Sequence, residues 1–396
     1  MAAPPCAAVV HRRCGTITSS ATLPSAQFPP ELSPERRRDT PSSVAACARE
    51  LRPLLPAAAF RPDPDRLPLV LINLAILGLG WGMASRLDQW PHVLVPFFLP
   101  FALVMGNAVI VLLFATHDLM HGSAIRGQGL RRLVGVLGLA MLWMPPTLWN
   151  AVHNREHHGH TNDFSDPDRS YLEQQPATWG KRIQHAFVPS DEVTPVGLVL
   201  GMANAWCVHN VRTLVSVLLG HRFRAAATAV PAPFRVSRRE RRAIVLELVL
   251  ITAFHALVIA GIGLHPLRLL LGYFLPLWLG YAGAMAYIYT NHMLCPLAEE
   301  NNPFANTVSL RLPGLLDLLH LNFSHHVEHH IFPGMNTSYY PMLRRILLER
   351  YPEHYQLLDG REAWHRLLTT PRHYRDGETL VNWRGDRAVS LPLPRP

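Results

Sequence analysis

Four long apolar runs constrain the fold of this 396-residue chain more than any other feature of its sequence. Only two side chains within them are charged, Glu247 and Arg268. A helix of about 20 apolar residues crosses the hydrocarbon core of a bilayer. We therefore expect an all-α membrane protein with about four transmembrane helices, at residues 67–85, 93–115, 243–264 and 266–291.

Two further apolar stretches are interrupted by residues that do not suit a simple span. Pro145-Pro146 interrupts residues 131–149. Three polar or ionisable side chains interrupt residues 195–220, namely Cys207, His209 and Arg212. We expect both stretches to be interfacial or re-entrant helices. The composition agrees with a membrane protein, because only 16% of the residues are charged, whereas a soluble domain is about a quarter charged.

The basic residues are distributed unevenly along the chain, whose formal net charge is +9. The predicted loops 86–92 and 265–268 contain only Arg86 and Arg268 as basic residues, and most others lie in the N-terminal segment, residues 116–242 and the C-terminal part. By the positive-inside rule those three regions face the cytoplasm. The charge then reflects topology and anionic lipid headgroups rather than nucleic acid, with a docking surface for an acidic redox partner as the alternative.

The two ends of the chain differ in composition from the apolar part. Residues 1–66 are rich in Pro, Ala, Ser and Arg and contain no acidic residue before Glu31. We expect a disordered N-terminal tail, although an organellar transit peptide has a similar composition. Residues 67–355 are predicted to form the membrane domain, and residues 356–396 a cytoplasmic C-terminal tail.

Three histidine clusters lie outside the apolar core of the predicted spans. They comprise His117 and His121, then His153, His157 and His158, and finally His326, His329 and His330. Each cluster follows an even number of spans, so all three are predicted to meet in a helical cap on the cytoplasmic face. Buried imidazoles in such number lack partners without a metal. All-imidazole ligands suit first-row metals such as iron, zinc or copper.

The spacing within each cluster is helical. Histidines three or four residues apart lie on one face of a helix, so a His–x3–His pair can bind a single metal. An adjacent histidine, as at His158 and His330, points in a neighbouring direction and suits a second metal. The sequence therefore predicts a histidine-rich site for two metals.

Three other classes of membrane protein fit this pattern less well. A metal transporter places its ligands near the membrane midplane, whereas these runs contain almost none. A bis-histidine cytochrome needs histidine pairs inside facing spans, where His255 stands alone and is expected to be a hydrogen-bonded core residue. An intramembrane zinc protease needs H-E-x-x-H, and Asp118 occupies the position of that glutamate.

The three clusters resemble the histidine boxes of the membrane fatty acid desaturase superfamily. His117–x3–His121 is similar to the first box, and His153–x3–His157-His158 to the second. His326–x2–His329-His330 is similar to the third. The runs "GHTNDFSDPD" and "IFPGMNTSYYP" are also similar to desaturase sequences, and the resemblance covers about residues 65–355.

The resemblance implies a pair of iron ions held mostly by histidine. A further ligand in related enzymes lies near the end of the last span, where this chain has His292 beside Asn291. The implied ligands are His117, His121, His153, His157, His158, His292, His326, His329 and His330. His160, His320 and His325 would be neighbours. Nearby carboxylates would either orient the imidazoles or be solvated acids and helix caps: Asp118, Glu156, Asp163, Asp166, Asp168 and Glu328.

The implied activity is that of a membrane-bound acyl desaturase, which introduces a cis double bond into a long acyl chain with O2. The acyl carrier is left open between a lipid, coenzyme A and an acyl-carrier protein. Electrons would come from a separate ferredoxin or cytochrome b5, because the chain has no flavin or heme motif and its five cysteines include no C-x-x-C pair. A hydroxylase or ketolase of the same superfamily is the alternative.

The position of the double bond and the lining of an acyl tunnel stay open, because the chain departs from the family pattern at two places and its aromatic residues have no clear role. Asn336 replaces a proline often found after the third box. The third box begins with His326 rather than glutamine, and the chain lacks the HPGG heme motif, which together argue against a front-end desaturase. Four aromatic side chains could line an acyl tunnel or simply pack the core: Phe114, Trp143, Trp149 and Tyr287.

Overall fold

The computed structural model describes residues 43–63, 65–122, 125, 127–163, 166–168, 187–219, 234–297 and 300–391. The helices are α1 (Val44–Leu51), α2 (Arg66–Ala84), α3 (Leu99–His121), α4 (Gln128–Leu139), α5 (Pro146–Trp149), α6 (Pro195–Leu218), α7 (Arg238–Ile262), α8 (Leu275–His292), α9 (Pro303–Asn306), α10 (Gly314–Leu319), α11 (His326–Ile331), α12 (Tyr340–Arg350) and α13 (Gly360–Thr369). The strands are β1 (Ser309–Arg311), β2 (Leu357–Asp359), β3 (His373–Asp376), β4 (Thr379–Val381) and β5 (Ala388–Ser390). α5 continues into a π-helix, Asn150–His157, and α8 is preceded by a short helix, Pro266–Leu269, and a π-turn, Leu270–Phe274.

Four helical stretches are long and apolar enough to cross a membrane, which confirms the predicted fold class. They are Arg66–Gln89, His92–His121, Arg238–Ile262 and Pro266–His292. Three of them contain a predicted run completely. The third ends at Ile262, two residues before the end of the predicted run 243–264. The chain is a mostly helical membrane protein.

The helices on either side of Pro145-Pro146 are bent by 90° relative to each other, as a broken span or a re-entrant loop would be. Proline disfavours the helical conformation of the residue before it and supplies no backbone N–H. Trp143 has a φ of 54°, and its ring stacks on His255 with 4.1 Å between the ring centroids. His255 accepts a hydrogen bond from Tyr273 and contacts the Ala140 carbonyl, in agreement with the prediction of a core role. The membrane depth of this bent pair and of α6 stays a prediction.

Close helix packing brings the ends of the spans together. α3 packs against both α2 and α8, and α8 also packs against α6. A Cβ atom on Gly106 would lie 2.6 Å from Leu279 Cβ, and one on Gly280 would lie 2.5 Å from Val109 Cγ1. Glycine at these two positions therefore lets α3 and α8 approach closely, as small residues commonly do between membrane helices.

The predicted disordered tail, residues 1–66, does not hold for residues 43–63. α1 begins at a Ser43 cap that accepts a hydrogen bond from Ala46 N. Its buried Cys47 and Leu51 share a hydrophobic cluster with Val327 of α11 and its neighbours. α1 is therefore folded because its apolar face packs against α11 and α12, although the composition of residues 1–66 predicts disorder. Residues 1–42 lie outside the described residues.

Residues 356–391 are folded into the same unit as the spans and do not form a separate tail. β2 pairs in parallel with β1, and β3, β4 and β5 form an antiparallel sheet. Tyr374 and Leu380 are buried in the main hydrophobic cluster together with Leu297. The predicted boundary after residue 355 is therefore not a structural one, and the cytoplasmic location of this segment stays a prediction.

A buried carboxylate in the third span holds the bent helix. Glu247 of α7 is fully buried. It accepts hydrogen bonds from the backbone N–H and the hydroxyl of Thr147, at 2.9 and 2.7 Å, and from Arg132 Nε at 2.9 Å. Thr147 lies in the first turn of α5, where backbone N–H groups have no partner within the helix. Glu247 thus fixes the start of the helix that leads to His153.

Replacement of Glu247 by alanine is expected to lower the free energy of unfolding by about 3 kcal/mol, because three hydrogen bonds to a buried charge are lost. The midpoint of thermal unfolding in detergent measures the effect. Glu349→Ala, at an exposed site on α12, is the matched control. Equal midpoints for the two variants would show that the Glu247 contacts contribute nothing.

Candidate metal centre

Nine histidines from distant parts of the sequence converge into two groups. The first group is His117, His121, His153, His158 and His329. The second is His157, His292, His326 and His330. Within each group the potential ligand atoms all lie within 4.8 Å of one another. These are the nine residues that the family resemblance implies, and each group can hold one metal ion.

The local helix geometry divides the second box between the groups. His158 N donates a hydrogen bond to His153 O at 3.1 Å, the five-residue spacing of a π-helix. His153 and His158 therefore belong to one group and His157 to the other. The sequence spacing suggested instead that His153 and His157 share a metal. In the two all-histidine groups these rings are instead separated, because the π-helix has more residues per turn than the α-helix that was assumed. His153 and His157 do lie together in a third set of potential ligand atoms, with Asp168 as its other member.

The third box is also divided, but by an ordinary helix. His326 and His330, four residues apart on α11, lie in the second group, and His329 lies in the first. Adjacent residues of an α-helix project in different directions. α11 therefore stands between the two groups and contributes to both.

The imidazole Nε2 atoms point towards one another. In the first group His153 Nε2 lies 3.1 Å from His117 Nε2 and 3.3 Å from His158 Nε2. In the second group His326 Nε2 lies 2.7 Å from His292 Nε2 and 3.1 Å from His330 Nε2. Both groups thus have a centre lined by nitrogen atoms.

Carboxylates bind the opposite edge of three rings. Asp168 Oδ2 lies 2.8 Å from His153 Nδ1, Asp166 Oδ2 lies 2.8 Å from His157 Nδ1, and Asp118 Oδ1 lies 3.2 Å from His117 Nδ1. Three other Nδ1 atoms contact a carbonyl or a hydroxyl: those of His292 with Asn306 O, His329 with Tyr340 Oη and His330 with Thr161 Oγ1. An acceptor at Nδ1 retains the proton there and leaves a lone pair on Nε2.

Convergent Nε2 lone pairs fit a metal ion. Burial, and then the charge of neighbouring imidazoles, lower the pKa of His158, His326, His329 and His330 well below its usual range. These rings are therefore neutral ligands near pH 7. Neutral rings with lone pairs turned inward repel one another unless a cation lies between them. His121 Nε2 is buried without a hydrogen-bond partner among the described residues, which adds to the fit.

The other carboxylates predicted near the site have different roles. Glu328 contacts no candidate ligand and instead anchors α11, through His325, Arg344, Tyr355 and Ser309. Burial raises its pKa, but the hydrogen bond from His325 and the charge of Arg344 outweigh that effect and hold the pKa at about 2. Glu156 pairs with Arg155. Asp163 forms a backbone turn with His160.

The predicted neighbouring histidines lie around the two groups without joining them. His160 is 53% exposed, and His325 contacts Glu328. His320 binds Tyr287 and Asn107. His209, to which the sequence assigns no role, places Nε2 3.2 Å from Asp168 Oδ1. Its only signal in the sequence was a polar interruption of an apolar stretch.

An apolar cavity adjoins both groups. Its walls are Leu113, Phe114, His117, Met144, Trp149, Val152, His153, His157, Asp168, Trp206, His209, Met285, Ile288, His292, Phe323 and His326. Phe114 and Trp149 therefore line it, whereas Trp143 and Tyr287 lie elsewhere. The cavity therefore places an apolar surface against the candidate metal centre.

Replacement of Asp168 by asparagine is expected to weaken metal binding about 10- to 100-fold, because the proton on His153 Nδ1 loses its charged acceptor. Metal retained after dialysis against a graded chelator, measured by elemental analysis, tests this. Asp386→Asn, on the exposed turn before β5, is the control. Equal retention by the two variants would show that Asp168 does not support the ligand.

Comparison with known proteins agrees with this geometry. A family model described as fatty acid desaturase matches residues 88–361, more than half of the chain and all nine histidines. The chain is also 28% identical over 148 residues to an sn-1 acyl-lipid omega-3 desaturase (ferredoxin) of Synechocystis sp.. That match covers 36% of this chain and 39% of the relative. With its four spans and two histidine groups, the chain belongs to the fatty acid desaturase family.

Proposed function

We propose that the protein is a membrane-bound desaturase that converts a –CH2–CH2– unit of a long acyl chain into a cis double bond. The observation that carries the proposal is the convergence of two imidazole groups at one apolar cavity. In the overall reaction, two substrate hydrogens, two electrons and two protons reduce one O2 to two water molecules. The product is released from the same cavity.

The nine histidines are proposed to hold two iron ions, one in each group. Bound iron would supply the redox chemistry with O2 that cleaves an unactivated C–H bond, for which general acid–base groups do not suffice. Asp166 and Asp168 keep the Nε2 atoms of His157 and His153 available for the metal. Glu328 and Glu247 hold the helices that carry these ligands.

The cavity walls position the substrate. Leu113, Met285 and Ile288 line the cavity together with five of the candidate ligands. Apolar walls exclude water and fix the depth of a chain by shape, because they offer it few polar contacts. We infer that this depth selects the carbon pair that is oxidised.

The acyl carrier, the electron donor and the side of the membrane are proposed from the named relative and from the arginine distribution. The relative's name describes an acyl-lipid substrate and ferredoxin, so we propose the same classes here, with coenzyme A or acyl-carrier protein and cytochrome b5 as the alternatives to test. The chain spans about two fifths of that relative's length. The arginine distribution supports a cytoplasmic location of the centre.

Expression in a host with a simple lipid profile, together with the electron donor, is expected to produce new unsaturated lipids. Their mass is lower by two hydrogens, and fragmentation maps the double bond. His329→Ala is expected to abolish the product, because it removes a ligand from the first group. His160→Ala, which alters an exposed ring beside the second box, is the control.

Unchanged lipid profiles with all three proteins would contradict the proposal. A product heavier by one oxygen would assign the protein to the hydroxylases of the same family. Loss of product in His160→Ala as well would show that the loss in His329→Ala is not specific to a metal ligand.

A basic surface lies at the start of α7, beside the second box. Its exposed arginines are Arg235, Arg238, Arg239, Arg241 and Arg242. Arg155, within the π-helix that carries His153 and His157, donates to Arg235 O at 2.5 Å and pairs with Glu240. We propose that this surface docks an acidic donor such as ferredoxin, close to the metal ligands.

Replacement of Arg238, Arg239, Arg241 and Arg242 by glutamine is expected to raise the KM for ferredoxin about tenfold at low salt, with the difference shrinking as salt screens the charges. Turnover at saturating ferredoxin should stay unchanged. Arg384→Gln, at an exposed site between β4 and β5, is the control. A KM equal to that of wild type at low salt would place donor docking elsewhere.

A further inference from the structure

A short helix outside the four spans, α10, ends beside the middle of one of them. His320, directly after α10, lies 3.0 Å from Asn107 Oδ1, at the midpoint of the span His92–His121. Asn107 is ten residues before His117, about 15 Å along the helix from it. Leu315 and Leu318 of α10 are 66% and 74% exposed. We infer from this level that the exposed leucines of α10 face lipid.

A cleft lies between α10, α8 and α13. Its walls are Gly283, Ala286, Tyr287, Thr290, Leu310, Arg311, Leu312, Pro313, Leu316, His320, Asp359, Gly360, Arg361 and Trp364. One end is marked by Gly283 and His320, at the level of the middle of the spans. Arg311 and Arg361 mark the other end. Val308, three residues before Arg311, donates a backbone hydrogen bond to Asn291 O. This end of the cleft is therefore on the side of α8 that carries His292. Asp359 caps α13 through the Arg361 N–H.

The polarity of the cleft matches that of a membrane lipid. The exposed residues Arg311 and Arg361 lie at one end of the cleft together with Asp359, and we expect the lipid headgroups of that leaflet there. Towards the other end, the cleft is lined by small and apolar residues such as Gly283, Ala286 and Leu316. Arginine binds phosphate oxygens in a bidentate manner, and the slot beside Ala286 suits an acyl chain.

One layer of rings separates the cleft from the metal cavity. Phe114 lines the cavity, stacks on Phe323 and touches the edges of Tyr287 and His320. Tyr287 and His320 in turn line the cleft, and a hydrogen bond of 2.7 Å joins them. These rings therefore form the wall that the two spaces share.

We propose that this cleft binds an intact phospholipid from the bilayer and is the lateral route by which its acyl chain reaches the metal cavity. The inference rests on the proposed function and narrows its substrate to lipid-bound acyl chains. The phosphate lies against Arg311 and Arg361, and the chain lies between α8 and α10.

Photo-crosslinking tests the site independently of activity. The full-length protein is placed in nanodiscs of phosphatidylcholine that contain phosphatidylglycerol with a diazirine in its acyl chain. Crosslinks are expected within residues 283–290 and at Leu312 and Leu316, which line the cleft. Ala286→Phe fills the slot and should abolish them, whereas Ala256→Phe, at a lipid-exposed position on α7, should not.

Ala286→Phe is also expected to lower kcat/KM for the acyl lipid about tenfold. Bound metal and thermal midpoint should match those of Ala256→Phe, which shows that the variant is folded. Arg311→Gln with Arg361→Gln should weaken crosslinking of phosphatidylglycerol, and Arg384→Gln should leave it unchanged.

Absence of crosslinks from the cleft in an active protein would overturn the inference and leave the desaturase function standing. Wild-type turnover by Ala286→Phe would overturn the cleft as the substrate route. Crosslinks in the cleft without any unsaturated product from lipid, coenzyme A or carrier-protein substrates would support the lipid site and reject the proposed function.

Discussion

The convergence of imidazole nitrogens is the constraint on which the rest of the structure depends. Rings from α3, the π-helix, α8 and α11 turn their Nε2 atoms inward, and acceptors at several Nδ1 atoms hold them in that orientation. Lone pairs turned inward repel one another, and a cation bound between them would relieve that repulsion. We therefore infer that metal binding and the packing of these helix ends are coupled, as in other sites whose ligands come from distant segments.

Two buried acids hold the elements that carry the ligands. Glu247 binds the start of the bent helix from within the third span, and Glu328 ties α11 to β1, α12 and the segment before β2. Neither contacts a candidate ligand. Both are surrounded by donors, as a buried carboxylate must be if its desolvation is to be offset. The helices that carry the candidate ligands are thus held by hydrogen bonds on the sides that face away from the histidine groups.

Much of the site could be predicted because its signals are local. Histidine spacing and the order of the boxes identified eight of the nine residues that converge, and the family resemblance added His292. Apolar runs with only two charged side chains identified the four helices that are long enough to span a membrane. The division of ligands between the two groups could not be predicted, because it depends on a π-helix at His153–His157 that no residue pattern announces. The contact of His209 with Asp168 was also missed, since it brings together residues that lie far apart in sequence.

The sequence by itself predicted the membrane class, the four long apolar helices and, with the family resemblance, the residues of the candidate centre, because hydropathy and helical spacing are properties of neighbouring residues. Only the tertiary structure decided which imidazoles share a centre, that residues 43–63 and 356–391 pack against the core, and that α10 lies beside the middle of a span. Those outcomes depend on which surfaces cover one another. Composition does not encode that complementarity, as the burial of Cys47 and Leu51 within a polar tail shows.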